Sequence, residues 1–136
     1  MLPPGSTIGI LGGGQLGRMM AVAGLQLGYK VIGFAPEGDN VAADASSDFI
    51  TADWDDAAAL AAFTGRCDVV TWEFENVPLS TVAAIPPALL ACPARALEVA
   101  QDRLSEKAFA ASLGGTPAPY ARVETEDDFA AALVRV

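Results

Sequence analysis

The sequence predicts an α/β fold, a doubly wound parallel sheet with helices on both faces. Three observations carry this. Apolar runs of strand length alternate with segments of helical period. A glycine-rich turn, Gly12-Gly13-Gly14, joins the first strand to the first helix. The order strand-helix repeats until a fourth strand, which calls for right-handed crossovers and a 3-2-1-4 strand order. With 52% hydrophobic residues in 136, the chain has enough apolar surface for one well-buried core.

The first strand is Thr7–Leu11. After the glycines, Leu16, Met19, Met20, Ala23 and Leu27 recur at helical spacing as one apolar stripe, and Gly28 stops that helix. Residues 30–34 form the second strand, 36–40 are loop by composition, and 49–51 form a short third strand. Asp53 or Asp55 caps a helix through about Thr64, with Leu60, Ala61 and Phe63 as its buried positions. Residues 68–72 are the fourth strand, and Pro86-Pro87 precedes a short fifth, 89–91. Beyond it, Ala94–Gln101 and residues 103–113 read as successive helices, the second ended by Gly114-Gly115. Thr125 and Asp128 resemble a capping box that opens a last helix through Arg135. That helix meets the last residue without a stop signal, which suggests a chain that continues.

Charge narrows the function. Eight Lys and Arg stand against 17 Asp and Glu, with no His, for a net charge of −9. Gripping a nucleic-acid backbone needs a basic face, which this balance does not supply. Any catalytic base or metal ligand must be carboxylate, amide, hydroxyl, thiol, Lys or Arg. Cys67 and Cys92 lack C-x-x-C spacing and read as small packed residues in a reduced, cytoplasmic protein. No stretch approaches the ~18 uninterrupted apolar residues of a membrane span, and no basic leader opens the chain.

Three stretches carry chemistry. Gly12-Gly13-Gly14-Gln15-Leu16-Gly17 satisfies G-x-G-x-x-G between a strand and a helix. Its glycines let the backbone approach a phosphate, and the free N–H groups of the first helical turn, with Arg18, would hold the anion. A nicotinamide dinucleotide would also need an acid at the end of the second strand, and Ala35 stands there, with Glu37 displaced into a loop by Pro36. Trp72-Glu73-Phe74-Glu75-Asn76-Val77 follows the fourth strand, the neighbour of the first at the switch point, so Glu73, Glu75 and Asn76 flank the same crevice. Two carboxylates there repel a pyrophosphate and suit an amine or ribose hydroxyls near one terminal phosphate. In Gln101-Asp102-Arg103-Leu104-Ser105-Glu106-Lys107, Asp102 or Ser105 caps a helix, and the like-charge pairs Arg103–Lys107 and Asp102–Glu106 are poor for helix stability. Trp54 and Trp72 read as core or crevice wall.

Together, Ile8 to Met20 as I-G-I-L-G-G-G-Q-L-G-R-M-M, Val70 to Val77 as V-T-W-E-F-E-N-V, and Gln101 to Lys107 as Q-D-R-L-S-E-K resemble one family over residues 7–136. It is the N5-carboxyaminoimidazole ribonucleotide synthetases, ATP-grasp enzymes of bacterial and fungal purine biosynthesis. The resemblance implies a Rossmann-like pre-ATP-grasp domain over residues 1–93 and the beginning of an ATP-grasp domain over 94–136. It implies ATP and Mg²⁺, bicarbonate activated as carboxyphosphate, and aminoimidazole ribonucleotide as the amine that takes the carboxyl group. Gly14, Gln15 and Leu16 would meet the ribonucleotide phosphate, Glu73 and Asn76 its sugar or base, and Arg103 an ATP phosphate. The family's Lys-bearing strand, G-Y-D-G-K-G flap and Mg²⁺-binding carboxylates do not occur within these 136 residues. The resemblance therefore implies no catalytic residue or metal ligand here, no complete reaction by this chain alone, and a homodimer when the enzyme is full length. Two rival readings remain: a nicotinamide-dependent dehydrogenase domain, and a non-catalytic nucleotide-sensing module.

Overall fold

The computed structural model describes residues 2–135; Met1 and Val136, the outer ends of the two expected domains, lie outside the described residues. The chain divides into two compact units, Met1–Leu97 and Glu98–Val136.

The first unit is built on a four-stranded parallel sheet in the order β3-β2-β1-β4. Its strands are β1 (Thr7–Leu11), β2 (Lys30–Ala35), β3 (Asp48–Thr51) and β4 (Val69–Trp72). This is the 3-2-1-4 order that the alternating pattern predicts. Strands β1 and β2 bury nearly every residue toward their carboxyl ends, as strands covered on both faces must. The main core gathers Leu11, Phe34, Leu60, Phe63, Val70, Val82, Ile85 and Leu97. Phe34 is its hub, with ring centroids 5.3 Å from Phe63 and 5.9 Å from Trp54. Fully burying one such side chain stabilises the fold by roughly 1.5–3 kcal/mol.

Helix α1 (Gln15–Gln26) ends as Gly28 predicts. Gly28 takes a φ of 81°, its N–H donates to the Leu25 carbonyl, and the Tyr29 N–H donates to that of Gly24, a Schellman closure. The face that α1 buries differs from the expected stripe. Leu16, Met19 and Leu27 are exposed, and the helix packs through Gly17, Ala21 and Gly24 instead. Close approach decides this: a Cβ on Gly24 would stand 2.9 Å from Val31 Cγ2, so small residues bring the helix onto the sheet, and of the expected stripe Met20 alone among the large residues stays packed, partly buried against Ile10, Ala21 and Val31.

Three further elements correct the sequence reading. The link from β2 to β3 is a single 3-10 turn, Ala43–Ala45, where the alternating order called for a helix. Helix α2 (Ala57–Thr64) is capped by Asp56, whose carboxylate accepts the Ala59 N–H at 2.9 Å, rather than by Asp53 or Asp55. It buries Leu60 and Phe63 but leaves Ala61 exposed. The fifth strand shrinks to one parallel bridge, Val70 to Leu90, because Pro87 opens a 3-10 turn that consumes Leu89 and proline has no N–H for a ladder. Before it, helix α3 (Leu79–Ala83) buries Thr81, whose hydroxyl donates to the Trp54 carbonyl at 2.8 Å. Cys67 is buried as expected, whereas Cys92 is exposed. Helix α4 (Ala94–Gln101) supplies Leu97 to the core.

In the second unit, α5 (Arg103–Ser112) starts on Asp102 and α6 (Glu126–Arg135) starts on the predicted capping box. Asp128 accepts the Thr125 N–H at 3.0 Å, and the Asp128 N–H donates to the Thr125 hydroxyl at 3.3 Å. Lys107 Nζ donates to the Ala118 carbonyl and lies 5.0 Å from the centre of the Tyr120 ring.

Candidate functional site

Strands β1 and β4 are neighbours in register, with Leu11 opposite Trp72. The chain therefore leaves both strands at the same level: one exit enters the glycine turn and the other enters Glu73. The Glu73 N–H extends the ladder by donating to the Leu11 carbonyl at 3.1 Å. On the other side, the Gly12 N–H donates to the Phe34 carbonyl at 2.9 Å, so the turn begins from a fixed point.

From there Glu73 reaches across the turn. Its Oε1 accepts the Gly14 N–H at 2.6 Å and its Oε2 accepts the Gly17 N–H. Both bonds are charge-assisted, and the carboxylate sits where the positive end of the α1 dipole is strongest. A second acid holds the middle of the turn. Asp39 Oδ2 accepts the Gly13 N–H at 3.0 Å, and the Gly13 carbonyl accepts the Ala42 N–H at 2.7 Å. Gly13 has no room for a side chain, since a Cβ would lie 2.0 Å from the Asp39 carbonyl oxygen.

The amides of the turn are thus not all open. Gly13, Gly14 and Gly17 donate inside the protein. Gln15 and Leu16 are exposed, and as the first two residues of α1 their N–H groups have no intrahelical acceptor. Asn76 and Glu75 are exposed on the loop after β4. Arg103 belongs to the second unit, where it pairs with Glu106. Beside it the Asp102 carboxyl is held below the usual range, first by the Ser105 hydroxyl and then by the Ser105 N–H. Ala35 closes β2 as a buried residue, and Glu37 is exposed beyond it. Among the described residues, no group of three His, Cys, Asp or Glu side chains could hold a metal ion. No helix among them is long and apolar enough to cross a membrane.

Sequence reasoning placed Glu73 beside the glycine turn but not upon it, and it missed Asp39. The P-E-G-D-N composition of residues 36–40 marks a turn without saying which acid folds back.

The chain as a whole is similar to known proteins. The ribonucleotide synthetase pre-ATP-grasp domain family matches residues 5–101. The chain belongs to that family. Among curated relatives, the N5-carboxyaminoimidazole ribonucleotide synthase of Brucella melitensis is 46% identical over 133 residues, covering 97% of this chain and 37% of the relative. Among solved structures, the N5-carboxyaminoimidazole synthetase of Staphylococcus aureus complexed with ADP superposes with a TM-score of 0.87 at 36% identity, over 99% of this chain and 36% of that one. The corresponding synthetase of Thermus thermophilus gives 0.79 at 41% identity, over 95% and 36%. The chain thus spans little more than a third of the length of these relatives, and within the pre-ATP-grasp family its parallel α/β sheet is the shared element.

Proposed function

We propose that this pre-ATP-grasp chain serves the ATP-dependent carboxylation of 5-aminoimidazole ribonucleotide with bicarbonate, in de novo purine biosynthesis, as the part that holds the ribonucleotide. One observation supports it above the others: at the β1/β4 switch point the amides of two exposed residues, Gln15 and Leu16, which have no acceptor within the helix, stand beside an acid anchored on the same turn. The amides receive the terminal phosphate of the ribonucleotide. Gly14, whose own N–H is engaged, contributes by carrying no side chain that would block the approach. Glu73 and Asn76 accept hydrogen bonds from the sugar hydroxyls or the amine, donors that a second ionised phosphate on the ligand would not offer.

Residues 94–136 begin the ATP-grasp domain, with Arg103 turned to an ATP phosphate in the assembled enzyme. When bound, ATP with Mg²⁺ supplies the activation of bicarbonate. The contribution of this chain is to bind and orient the ribonucleotide. The whole enzyme works as a cytoplasmic homodimer, and these 136 residues alone bind substrate without turning it over.

Calorimetric titration of the chain with 5-aminoimidazole ribonucleotide tests the reading. Saturable binding that is lost in Leu16→Pro, which removes one of the two amides, supports it. Saturable NADH binding at micromolar concentration, with none of the ribonucleotide, would sink it in favour of the dehydrogenase reading.

A further inference from the structure

The three glycines of the G-x-G-x-x-G pattern share one neighbour. A Cβ on Gly12 would stand 2.5 Å from Glu73 Cγ, one on Gly14 2.8 Å from Oε1, and one on Gly17 2.9 Å from Oε2. In a dinucleotide site the first glycine makes the tight turn, the second lets the backbone approach the pyrophosphate and the third packs the helix on the strand; here the space beside all three is already filled by a side chain of the same protein. The Gly14 and Gly17 N–H groups that would point at the pyrophosphate each donate to that carboxylate. Its backbone cannot drift away, because the Glu73 N–H is bonded to the Leu11 carbonyl at 3.1 Å.

We infer that Glu73 is a specificity-determining residue, a resident anion that closes the fingerprint's pyrophosphate seat and leaves only the neighbouring Gln15 and Leu16 amides for a single terminal phosphate. The last clause rests on the function proposed above; the occupied seat does not. A pyrophosphate entering there would meet donors already in use and a like charge at contact distance. The glycine pattern in this chain therefore records the fit of an internal carboxylate, and its match to the dinucleotide fingerprint has a different physical origin.

Amide resonances of the ¹⁵N-labelled chain test this, with inorganic pyrophosphate, inorganic phosphate and formate as probes. In the wild type, Gly14 and Gly17 resonate downfield and stay still as pyrophosphate is added. In Glu73→Ala both lose the downfield shift and then follow pyrophosphate saturably, with an apparent dissociation constant about tenfold or more tighter than any wild-type response. Formate returns the two signals of Glu73→Ala toward their wild-type positions by refilling the seat, which a merely structural loss would not permit. Wild-type Gly14 and Gly17 signals that track pyrophosphate as the variant's do would overturn the inference, as would a folded Glu73→Ala chain that gains no response. Should Glu73→Ala not fold, Glu73→Gln, with one acceptor oxygen in the same volume, must release one glycine signal and keep the other; release of neither overturns the idea. Gln15 and Leu16 signals that ignore inorganic phosphate would count against the proposed phosphate contact alone, since the seat of Glu73 is read at Gly14 and Gly17.

Discussion

Asp48 and Glu73 lie at opposite ends of the same parallel sheet, and the partners that reach their carboxylates from elsewhere in the chain differ in kind. At the amino ends of the strands, Asp48 meets the Arg66 guanidinium at 2.6 Å, with both side chains about half exposed. At the carboxyl ends, Glu73 meets main-chain N–H groups of the glycine turn. A guanidinium on a flexible stem adapts to its partner and is screened by salt, so such a surface pair contributes little. Amides at the start of a helix cannot adapt, because the backbone fixes them, and an acid that fits them is locked in one geometry. The comparison teaches that equal charges at two edges of a sheet differ in rigidity, and that the rigid edge is the one suited to a ligand.

The hardest test of that rigidity is Gly13→Ala. Its Cβ would collide with the Asp39 carbonyl oxygen, a backbone atom that moves only if the loop moves. We expect a loss of about 1–3 kcal/mol in urea unfolding, with the glycine turn displaced. An unchanged midpoint would show that the turn is soft and break the contrast. Asp56 is an intermediate case, an exposed acid held by one helix-start amide. Asp56→Ala should cost about 1 kcal/mol and keep most of that cost in high salt. If salt erases it, amide-held and cation-held acids are not distinct classes.

A smaller effect is expected for Asp48→Asn. The Asp48 carboxyl is held below its usual range, first by its hydrogen bond with Arg66 and then by the Phe49 N–H. A folded-state pKa depressed in this way gives stability that is present above the unfolded value and lost as pH falls through the folded one. Wild type and Asp48→Asn should therefore differ slightly at neutral pH and low salt, and coincide in acid well below about pH 4. A difference that grows on acidification would reverse the assignment. The gentlest probe is alkylation of the folded chain at about pH 8. Burial pushes the Cys67 thiol up to about 11, with the Arg66 charge opposing and that of Asp68 adding. Cys92 is exposed and should react alone by mass spectrometry, and early modification of Cys67 would mean that the amino edge opens readily.

Much of this is legible in the sequence. The strand pattern, the Gly28 stop, the Asp102 start of α5 and the Thr125–Asp128 box depend on residues a few positions apart, and local chemistry governs them. The misses were of two kinds, one decided by packing at a distance and the others by chemistry within a few residues. The apolar stripe of α1 has good helical spacing, yet the face with Gly17, Ala21 and Gly24 won because only small residues allow the helix to approach Val31. The fifth strand had apolar residues but too little chain after Pro87 to build a ladder. The Asp53 and Asp55 caps lost to Asp56 by a shift of one to three residues, the scale on which helix ends ordinarily vary.

By itself the sequence determined a parallel α/β sheet and a glycine turn between its first strand and first helix, because periodicity and the absence of a Cβ act over a few residues. Only the tertiary structure decided what fills that turn. Glu73 lies 59 residues from Gly14 and 56 from Gly17, and the pairing of β1 with β4 is what carries it there. The alternating pattern already sets β4 beside β1, but which main-chain amides the Glu73 carboxylate reaches depends on the packing of the folded turn, and residues so far apart in the chain carry no local sign of it.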